Sequence, residues 1–149
     1  MPVPAGLRLT HVGICVSDLV RAVDFYVHAL GFVEVNRLQF ADAVTACILG
    51  VEEIDVDLVY LERDGFRVEL LGFRTPAVDG VGTVRPMQVA GFTHLSFAVD
   101  DVAAAAAAIE QWGGRVLPET MVQFSYGNRG VMTVDPDGTR VELIEARPA

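Results

Sequence analysis

Two segments of the 149-residue chain occur twice in the same order, and this internal repeat constrains the fold more than any other feature. Residues 10–19, THVGICVSDL, match residues 93–102, THLSFAVDDV, with Thr, His, Val and Asp in register. Residues 64–71, DGFRVELL, match residues 137–144, DGTRVELI, at six of eight positions. Two motif pairs in one order indicate two copies of one supersecondary unit, of which the second is about ten residues shorter.

Each copy predicts a β-α-β-β-β unit, because strand, helix and hairpin patterns follow one another in the same order. The hairpin signal is an Asp-Gly pair, Asp64-Gly65 in the first copy and Asp137-Gly138 in the second. The elements expected in the first copy are a strand at 9–16, a helix at 19–29 with Ser17 or Asp18 as N-cap and Gly31 as its stop, strands at 32–38, 56–61 and 66–71, and a short helix or strand within 41–50. Those expected in the second copy are a strand at 93–99, a helix at 102–112, and strands at 115–118, 129–134 and 139–145.

One domain made of two modules is the expected organisation, because 149 residues can bury one continuous core but are too few for two ordinary domains. Within this domain of residues 1–149, module 1 is placed at about 7–74 and module 2 at about 91–146. The residues between them, about 75–90, contain Pro76 and Pro86 together with glycine, which is typical of a linker.

Charge and composition exclude several classes of protein. The chain carries 11 basic and 20 acidic residues, a net charge of −9, and every basic residue is arginine. No arginine cluster forms the basic stripe that nucleic acid or an anionic membrane would require, so neither is an expected partner. No apolar run approaches the roughly 18 residues of a membrane span, and residues 1–10 lack the features of a signal peptide, which favours a cytoplasmic location. Cys15 and Cys47 form no disulfide framework and are expected to be reduced.

Side chains alternate across a strand, and the two strands that begin each repeat have one apolar face. On the opposite face, His11 and His94 stand beside small residues, which leaves room for a ligand. Those small residues are Gly13, Cys15, Ser96 and Ala98. This face is therefore predicted to form the floor of a cleft.

Glu69 and Glu142 occupy equivalent places in the two repeats, as do His11 and His94. Imidazole and carboxylate together suit one divalent ion of Ni, Zn, Mn or Fe(II), and the lack of Cys in the set argues against a closed structural zinc site. The alternative assigns the histidines to hydrogen bonds within the sheet and the glutamates to solvated strand edges. Duplication of all four at matching places favours a metal site. His28 has no repeat partner and is expected at the surface.

These motifs resemble the vicinal oxygen chelate superfamily, which includes glyoxalase I, bleomycin-resistance proteins and extradiol dioxygenases. The resemblance covers Thr10 to Glu145, and its carriers are residues 10–19, Asp24-Phe25-Tyr26, Leu30-Gly31-Phe32 and residues 135–145, DPDGTRVELIE. It implies an α+β fold in which two βαβββ modules form a curved eight-stranded mixed sheet around a metal cleft, with the helices on the outer face. It also implies a homodimer, and in some relatives the cleft is completed between two chains.

The resemblance places the metal ligands at His11, Glu69, His94 and Glu142, a set similar to that of bacterial glyoxalase I. Extradiol dioxygenases lack the Glu at the fourth-strand position, so Glu69 favours the lyase, isomerase and epimerase branch. The implied mechanism is metal-assisted proton abstraction next to a carbonyl by a carboxylate that can leave the ion. Glu142 is the first candidate for this base and Glu69 the second.

The expected function is therefore a divalent-metal-dependent lyase, isomerase or epimerase of the glyoxalase type, acting on a small oxygen-chelating molecule. One alternative is a metal-free drug-binding protein of the bleomycin-resistance kind, and the intact set of four ligands counts against it. The other is an Fe(II) extradiol-type dioxygenase, which Glu69 disfavours.

The sequence offers several candidates for contacts with the substrate, each with more than one interpretation. Glyoxalase I typically has Asn four residues after the fourth-strand Glu, whereas Phe73 stands here, so glutathione is not assigned. Arg37 is either an exposed solubilising residue or a contact for a substrate carboxylate. A set of apolar residues is expected in the core or in an apolar pocket wall: Ala43 to Val51, Phe40, Phe73, Met121, Phe124 and Tyr126.

Overall fold

The first repeat forms a four-stranded mixed sheet in the computed structural model, which describes Met1 and residues 5–146. Its strands are β1 Val12–Val16, β2 Val33–Phe40, β3 Asp55–Arg63 and β4 Phe66–Thr75. Their order is β1-β4-β3-β2, so β1 is added in parallel beside β4, while β2, β3 and β4 form an antiparallel meander. The β3–β4 hairpin turns at Asp64 and Gly65, where both residues have positive φ, which explains the Asp-Gly pair.

The second repeat forms a separate five-stranded sheet with the same parallel addition. Its strands are β5 His94–Val99, β6 Arg115–Val116, β7 Val122–Gln123, β8 Arg129–Val134 and β9 Arg140–Glu145. The order is β5-β9-β8-β6, and the short β7 also pairs with β8. Strand β5 is parallel to β9 just as β1 is parallel to β4, so the repeated sequence produces a repeated topology.

Each helix follows an Asp N-cap. Helix α1 spans Leu19–Asp24 and continues as a π-helical turn over Phe25–Ala29; α2 spans Ala43–Leu49 and α3 spans Val102–Gln111. The carboxylates of Asp18, Asp42 and Asp101 accept backbone N–H groups of the first turn, which otherwise lack partners. A 3₁₀ turn over Pro118–Thr120 connects β6 to β7. Among the described residues, none of the helices is long and apolar enough to cross a membrane.

The apolar faces of both sheets pack against α1 and α3 in one continuous core. Its buried members come from both repeats: Val16, Val68 and Leu70 from the first sheet, Val141 and Leu143 from the second, and Phe25, Tyr26, Val102 and Ile109 from the helical segments. The helices therefore lie against the apolar faces, as the sequence predicts. The opposite face of each sheet, with the His and Glu residues, is turned away from this core.

Polar contacts also join the two repeats, at the turn between β8 and β9. Buried Asp135 accepts a hydrogen bond from the Tyr26 hydroxyl at 3.1 Å and bonds from the backbone N–H groups of Asp137 and Thr139. Asp137 accepts a hydrogen bond from the backbone N–H of Ser17 at 2.9 Å. The start of α1 is thereby fixed to the last hairpin of the chain.

The expected strands are all present, with ends shifted by up to four residues. Residues within 41–50 form helix α2, and the sequence did not predict β7 or the π-helical turn. The α+β class and the repeated unit are confirmed. Within one chain the strands form two mixed sheets of four and five strands, which fits the expected eight strands approximately, and both sheets turn their apolar faces to a single shared core. The assignment of residues 1–149 to one domain, with its module bounds, stays a prediction.

Candidate functional site

His11 and Glu69 lie side by side in the first sheet, and we call them the first pair. His11 directly precedes β1, and Glu69 is in the neighbouring β4. The His11 Nε2 atom is 3.4 Å from Glu69 Oε2. The Glu69 side chain is only 11 % exposed, against 33 % for His11. Gly13 is the register partner of Glu69, and its missing side chain leaves that oxygen accessible from the β1 side.

His94 and Glu142 form the second pair, at the matching place in the second sheet. His94 begins β5, Glu142 is in β9, and His94 Nε2 is 3.5 Å from Glu142 Oε2. The Glu142 side chain is 29 % exposed, so this carboxylate is more open to solvent than Glu69. The structure therefore places the four predicted ligands in two separate His–Glu pairs of nearly equal geometry.

Different neighbours hold the two carboxylates. Tyr60 of β3 is the register partner of Glu69, bonds to its carboxylate through the phenol and meets the His11 ring edge-on at 5.4 Å. Burial, and then the bond and charge of Glu69, raise the pKa of Tyr60 to about 12, so the phenol remains a donor at neutral pH. In the second pair the donor is the Ser96 hydroxyl, which bonds to Glu142 Oε2 at 2.7 Å. Glu69 is thus held from the β3 side and Glu142 from the β5 side.

A threonine orients each histidine. Thr10 Oγ1 lies 3.0 Å from His11 Nδ1, and Thr93 Oγ1 lies 2.8 Å from His94 Nδ1. A hydroxyl can donate to Nδ1 or accept from it, so the contact suits both imidazole tautomers. In either case Nε2 is the nitrogen turned toward the carboxylate. Metal-binding histidines commonly hold one ring nitrogen by a hydrogen bond, as Nδ1 is held here, and leave the other nitrogen for the ion.

The two pairs do not converge within one chain. Over the part of the chain that the structure describes, no group of three or more His, Cys, Asp or Glu side chains is arranged to hold a metal ion. Each pair lies beside a strand with a free edge, since in that same part β1 pairs only with β4 and β5 only with β9. The four predicted ligands therefore lie at two separate strand edges of the chain.

An apolar cavity of about 160 Å³ adjoins the second pair. Glu142 and Arg140 line it together with apolar side chains of the second repeat and the segment before it, namely Met87, Val122, Phe124, Met132 and Ile144. Phe124 is therefore in the wall, as one of the two sequence interpretations predicts, and it stacks on exposed Tyr126 with ring centroids 5.2 Å apart. Met121 is exposed beside this segment.

The remaining candidates lie elsewhere. Phe40 and Phe73 pack against a small second core under α2, so they are core residues. Arg37 donates two hydrogen bonds to Glu34, both of 3.0 Å, and its charge is already paired. His28 is exposed, as predicted, and stacks on Trp112. Cys15 and Cys47 are free thiols, and burial followed by the charge of Asp137 raises the pKa of Cys15, which keeps it protonated.

Tyr60 is one residue of this site that the sequence analysis missed, besides the threonines that contact the histidines. A signal was present, because Asp64-Gly65 predicts a two-residue turn, and residues equally distant from such a turn face each other. Tyr60 and Glu69 are each four residues from it. Ser96 was noted only for its small size, and its bond to Glu142 depends on the parallel register of β5 and β9, which no turn determines.

The architecture of two repeated sheets agrees with comparison to known proteins. Residues 8–143 match the model of the Glyoxalase/Bleomycin resistance protein/Dioxygenase superfamily. The chain belongs to this family. The resemblance stated from the sequence motifs is thereby confirmed.

Individual relatives have low sequence identity to this chain. The chain is 27 % identical over 148 residues to the lactoylglutathione lyase of Salmonella typhimurium, with 96 % of each chain covered. A glyoxalase family protein from Bacillus cereus has a TM-score of 0.83 at 22 % identity, with 97 % of both chains covered. A fosfomycin resistance protein from Listeria monocytogenes, solved with manganese(II) and sulfate, has a TM-score of 0.61 at 16 % identity, covering 97 % of this chain and 95 % of that one. At these sequence identities the structural similarity shows the fold alone.

Proposed function

We propose that the protein is a divalent-metal-dependent enzyme of the glyoxalase type, a lyase or isomerase that moves a proton next to a carbonyl of a small oxygen-chelating substrate. The observation that supports it most is the duplicated His–Glu pair, with Nε2 to Oε2 distances of 3.4 and 3.5 Å. Two imidazoles and two carboxylates without thiolate suit a catalytic ion such as Ni, Zn, Mn or Fe(II). The similarity to a lactoylglutathione lyase supports the same reaction class.

Two copies of the chain are needed to complete this site in our proposal. His11 and Glu69 lie by the free edge of β1, and His94 and Glu142 lie by the free edge of β5. When β1 of one copy meets β5 of a second, the four ligands surround one ion, and two-fold symmetry creates a second identical site. A groove of about 520 Å³ along β5, lined by apolar Phe32, Phe66 and Phe97 and by His94, provides space for the second copy.

When bound, the divalent ion would polarise the substrate carbonyl and make the neighbouring C–H more acidic. Glu142 is the first candidate to take that proton, because its side chain is more exposed than that of Glu69 and its holding group is a rotatable serine hydroxyl. Glu69 is the second candidate, and its burial beside Tyr60 suits it better to a fixed position. The apolar cavity beside Glu142 accepts an uncharged part of the substrate, and glutathione is not assigned.

Mixing two inactive variants tests this proposal. One variant carries His11→Ala with Glu69→Gln, and the other carries His94→Ala with Glu142→Gln. Each alone is expected to bind no divalent ion in elemental analysis after loading and desalting. Co-refolded in equal amounts, they form mixed dimers in which one of two sites has all four ligands, which restores about one quarter of the wild-type metal content.

Two variants of the same pair serve as the control. His11→Ala/Glu69→Gln chains mixed with His11→Gln/Glu69→Ala chains leave every site without a first pair, so no metal should be recovered. Metal-free wild-type protein after loading contradicts the proposed function and favours the metal-free binding alternative. Full metal content in each separate variant contradicts the ligand assignment, and absence of complementation contradicts the two-chain site. Deuterium exchange from solvent into 2-oxo substrates then tests the proton-transfer class.

A further inference from the structure

Most arginines in the described part of the chain are paired with carboxylates, as a net charge of −9 leads one to expect. Ion pairs engage Arg21, Arg37, Arg63, Arg67, Arg74 and Arg129. Within the described residues, Arg8, Arg85, Arg115 and Arg140 form no such pair. Two of these four, Arg85 and Arg140, line the same pocket.

This pocket, of about 210 Å³, lies between the segment that joins the repeats and the β8–β9 turn. Besides the two arginines it is lined by the hydroxyl-bearing residues Thr83, Thr93 and Thr139. Guanidinium and hydroxyl groups are the donors that commonly recognise carboxylate and phosphate oxygens. We call it the arginine pocket.

Neutral carbonyl groups hold both guanidinium groups without cancelling their charge. Arg140 donates from Nε and Nη2 to the Arg85 carbonyl oxygen, at 3.3 and 3.2 Å. Arg85 donates from Nη1 to the Ala90 carbonyl oxygen at 3.2 Å. Gly91, at φ +129°, allows this approach, because a Cβ there would lie 2.7 Å from Arg85 Nη1. The remaining N–H donors of each five-donor guanidinium are not used by these bonds.

Asp137 is the carboxylate that lines the arginine pocket, and its charge is already compensated. Its side chain is 9 % exposed and accepts an ion-pair bond from Arg21 at 3.0 Å, in addition to the bonds from Ser17. Two positive charges therefore face the pocket without an opposing charge of their own. Such an arrangement favours an anionic ligand.

The arginine pocket adjoins the second pair. Arg140 is the register partner of His94, and Thr93 contacts the His94 ring through its hydroxyl. Arg140 also lines the apolar cavity together with Glu142, so it stands between that cavity and the arginine pocket. A molecule that reaches Glu142 therefore also reaches Arg140, which lines both the apolar cavity and the arginine pocket.

We propose that the arginine pocket is an anion-binding subsite, which takes a carboxylate or phosphate group of the substrate separate from its two chelating oxygens. That the bound anion belongs to a substrate rests on the proposed function, whereas anion binding itself does not require the metal site. Its consequence is specificity: neutral oxygen-chelating molecules should be poorer substrates than anionic ones of equal size.

The test uses chelator-treated protein, so that no anion can bind through a metal ion. Inorganic phosphate and malonate are titrated separately into the wild type, and binding is followed by calorimetry and by ³¹P line broadening for phosphate. Arg85→Gln and Arg140→Gln are each expected to weaken the better-bound anion at least tenfold. Arg115→Gln is the matched control, since Arg115 is exposed, unpaired among the described residues and located on β6 at the far edge of the sheet.

Equal weakening in Arg115→Gln and the pocket variants would show a general charge effect and overturn the subsite, as would unchanged binding in the pocket variants. The anion that binds more tightly identifies the ligand as phosphate-like or carboxylate-like, and binding of neither overturns the inference. If Arg140→Gln does not fold, the Arg85→Gln variant alone tests the inference. The Arg85 side chain donates one hydrogen bond, to the Ala90 carbonyl oxygen, so its replacement should disturb the fold little. Absence of anion binding by wild-type protein that takes up metal normally overturns only this inference. Anion binding by wild-type protein that takes up no metal overturns only the proposed function.

Discussion

At the scale of single residues, the two carboxylates of the candidate site differ more than their repeated sequence indicates. Glu69 is buried and bonded to a phenol that also contacts His11, while Glu142 is half-buried and bonded to a serine hydroxyl. Arg67 lies over the Tyr60 ring at 5.8 Å and adds a cation–π contact. Tyr60 is therefore best understood as a positioning residue for the first pair.

Replacing Tyr60 by phenylalanine tests this role. The Tyr60→Phe variant keeps the ring against His11 but removes the donor to Glu69, and such outer groups typically affect metal affinity about tenfold or more. We expect weaker divalent-metal binding in calorimetry and a changed visible spectrum of the cobalt-loaded protein. Tyr126→Phe removes a phenol outside both pairs and should bind metal like the wild type. Equal affinity of Tyr60→Phe and wild type would refute the positioning role.

The residue pairs were predictable where the repeat and strand alternation determine them. His11 with Glu69, and His94 with Glu142, follow from equal spacing and equal parity in two copies. The hydroxyl contacts of Thr10 and Thr93 were not predicted, because they depend on side-chain rotation rather than on the strand pattern. Nor does any sequence pattern identify Arg85 as a neighbour of Arg140 across 55 residues.

At the scale of elements, the β8–β9 turn joins the two repeats through buried Asp135. Burial raises the pKa of Asp135, although backbone N–H groups of Thr139 and Asp137 and the Tyr26 hydroxyl act in the opposite direction. A pKa raised in the folded state contributes stability that is present below the unfolded pKa of Asp and is lost as pH rises through the folded pKa. The contribution of Asp135 to the stability of the folded protein should therefore be largest at acidic pH.

The Asp135→Asn variant checks the sign of this effect. We expect the free energy of unfolding of the wild type minus that of Asp135→Asn to decrease as pH rises from about 4 to 7, measured by urea denaturation. Asp42→Asn is the control of opposite sign. The bonds from Thr45 lower the pKa of Asp42, so its contribution is present above the unfolded pKa and lost as pH falls through the folded one. A constant difference for Asp135→Asn across this range would contradict the argument.

Elements were predicted best where local signals agree. Asp18, one of the two residues that the sequence offers as N-cap, begins α1, and Asp64-Gly65 forms the two-residue turn between β3 and β4. The second Asp-Gly pair lies in the longer turn of residues 135–139 between β8 and β9. The segment within 41–50 was ambiguous because its apolar residues suit a buried strand as well as a helix, and Val44 and Ile48 are in fact exposed on α2. The π-helical turn at Phe25–Ala29 has no local signal and accompanies the packing of Phe25 and Tyr26 in the core.

At the scale of the whole molecule, the shared core determines where the His–Glu pairs lie. Both sheets pack their apolar faces inward, so β1 and β5 end at separate free edges. Alternation along the strands predicts which face is apolar, but it does not say whether the two sheets join edge to edge or pack against a common core. That choice depends on the fit of side chains such as Tyr26 and Phe97, which the sequence alone does not reveal.

If the metal site is built from two chains as proposed, divalent metal should stabilise the assembled protein more than the dissociated chain, because the two His–Glu pairs meet around one ion only in the assembly. At a free metal concentration 100 times Kd the expected gain is about 2.7 kcal/mol per site, and it should decrease when the protein is diluted below its assembly constant. Thermal denaturation with and without added Ni or Zn measures it. His28→Gln should behave like the wild type, whereas His11→Gln and His94→Gln should lose the gain. A gain of the same size in all three variants would point to a different site.

The contact between Trp112 and His28 provides a fluorescence signal that depends on how the two repeats pack. The chain has a single tryptophan, Trp112 at the end of α3, and it stacks on His28 of the first repeat with ring centroids 4.3 Å apart. Its indole is therefore sensitive to how the two repeats sit against each other, independently of either sheet. A change in emission without a loss of β-sheet circular dichroism marks separation of the repeats, whereas a simultaneous change in both marks unfolding. Tryptophan emission can thus report the packing of the two repeats against each other in unlabelled protein.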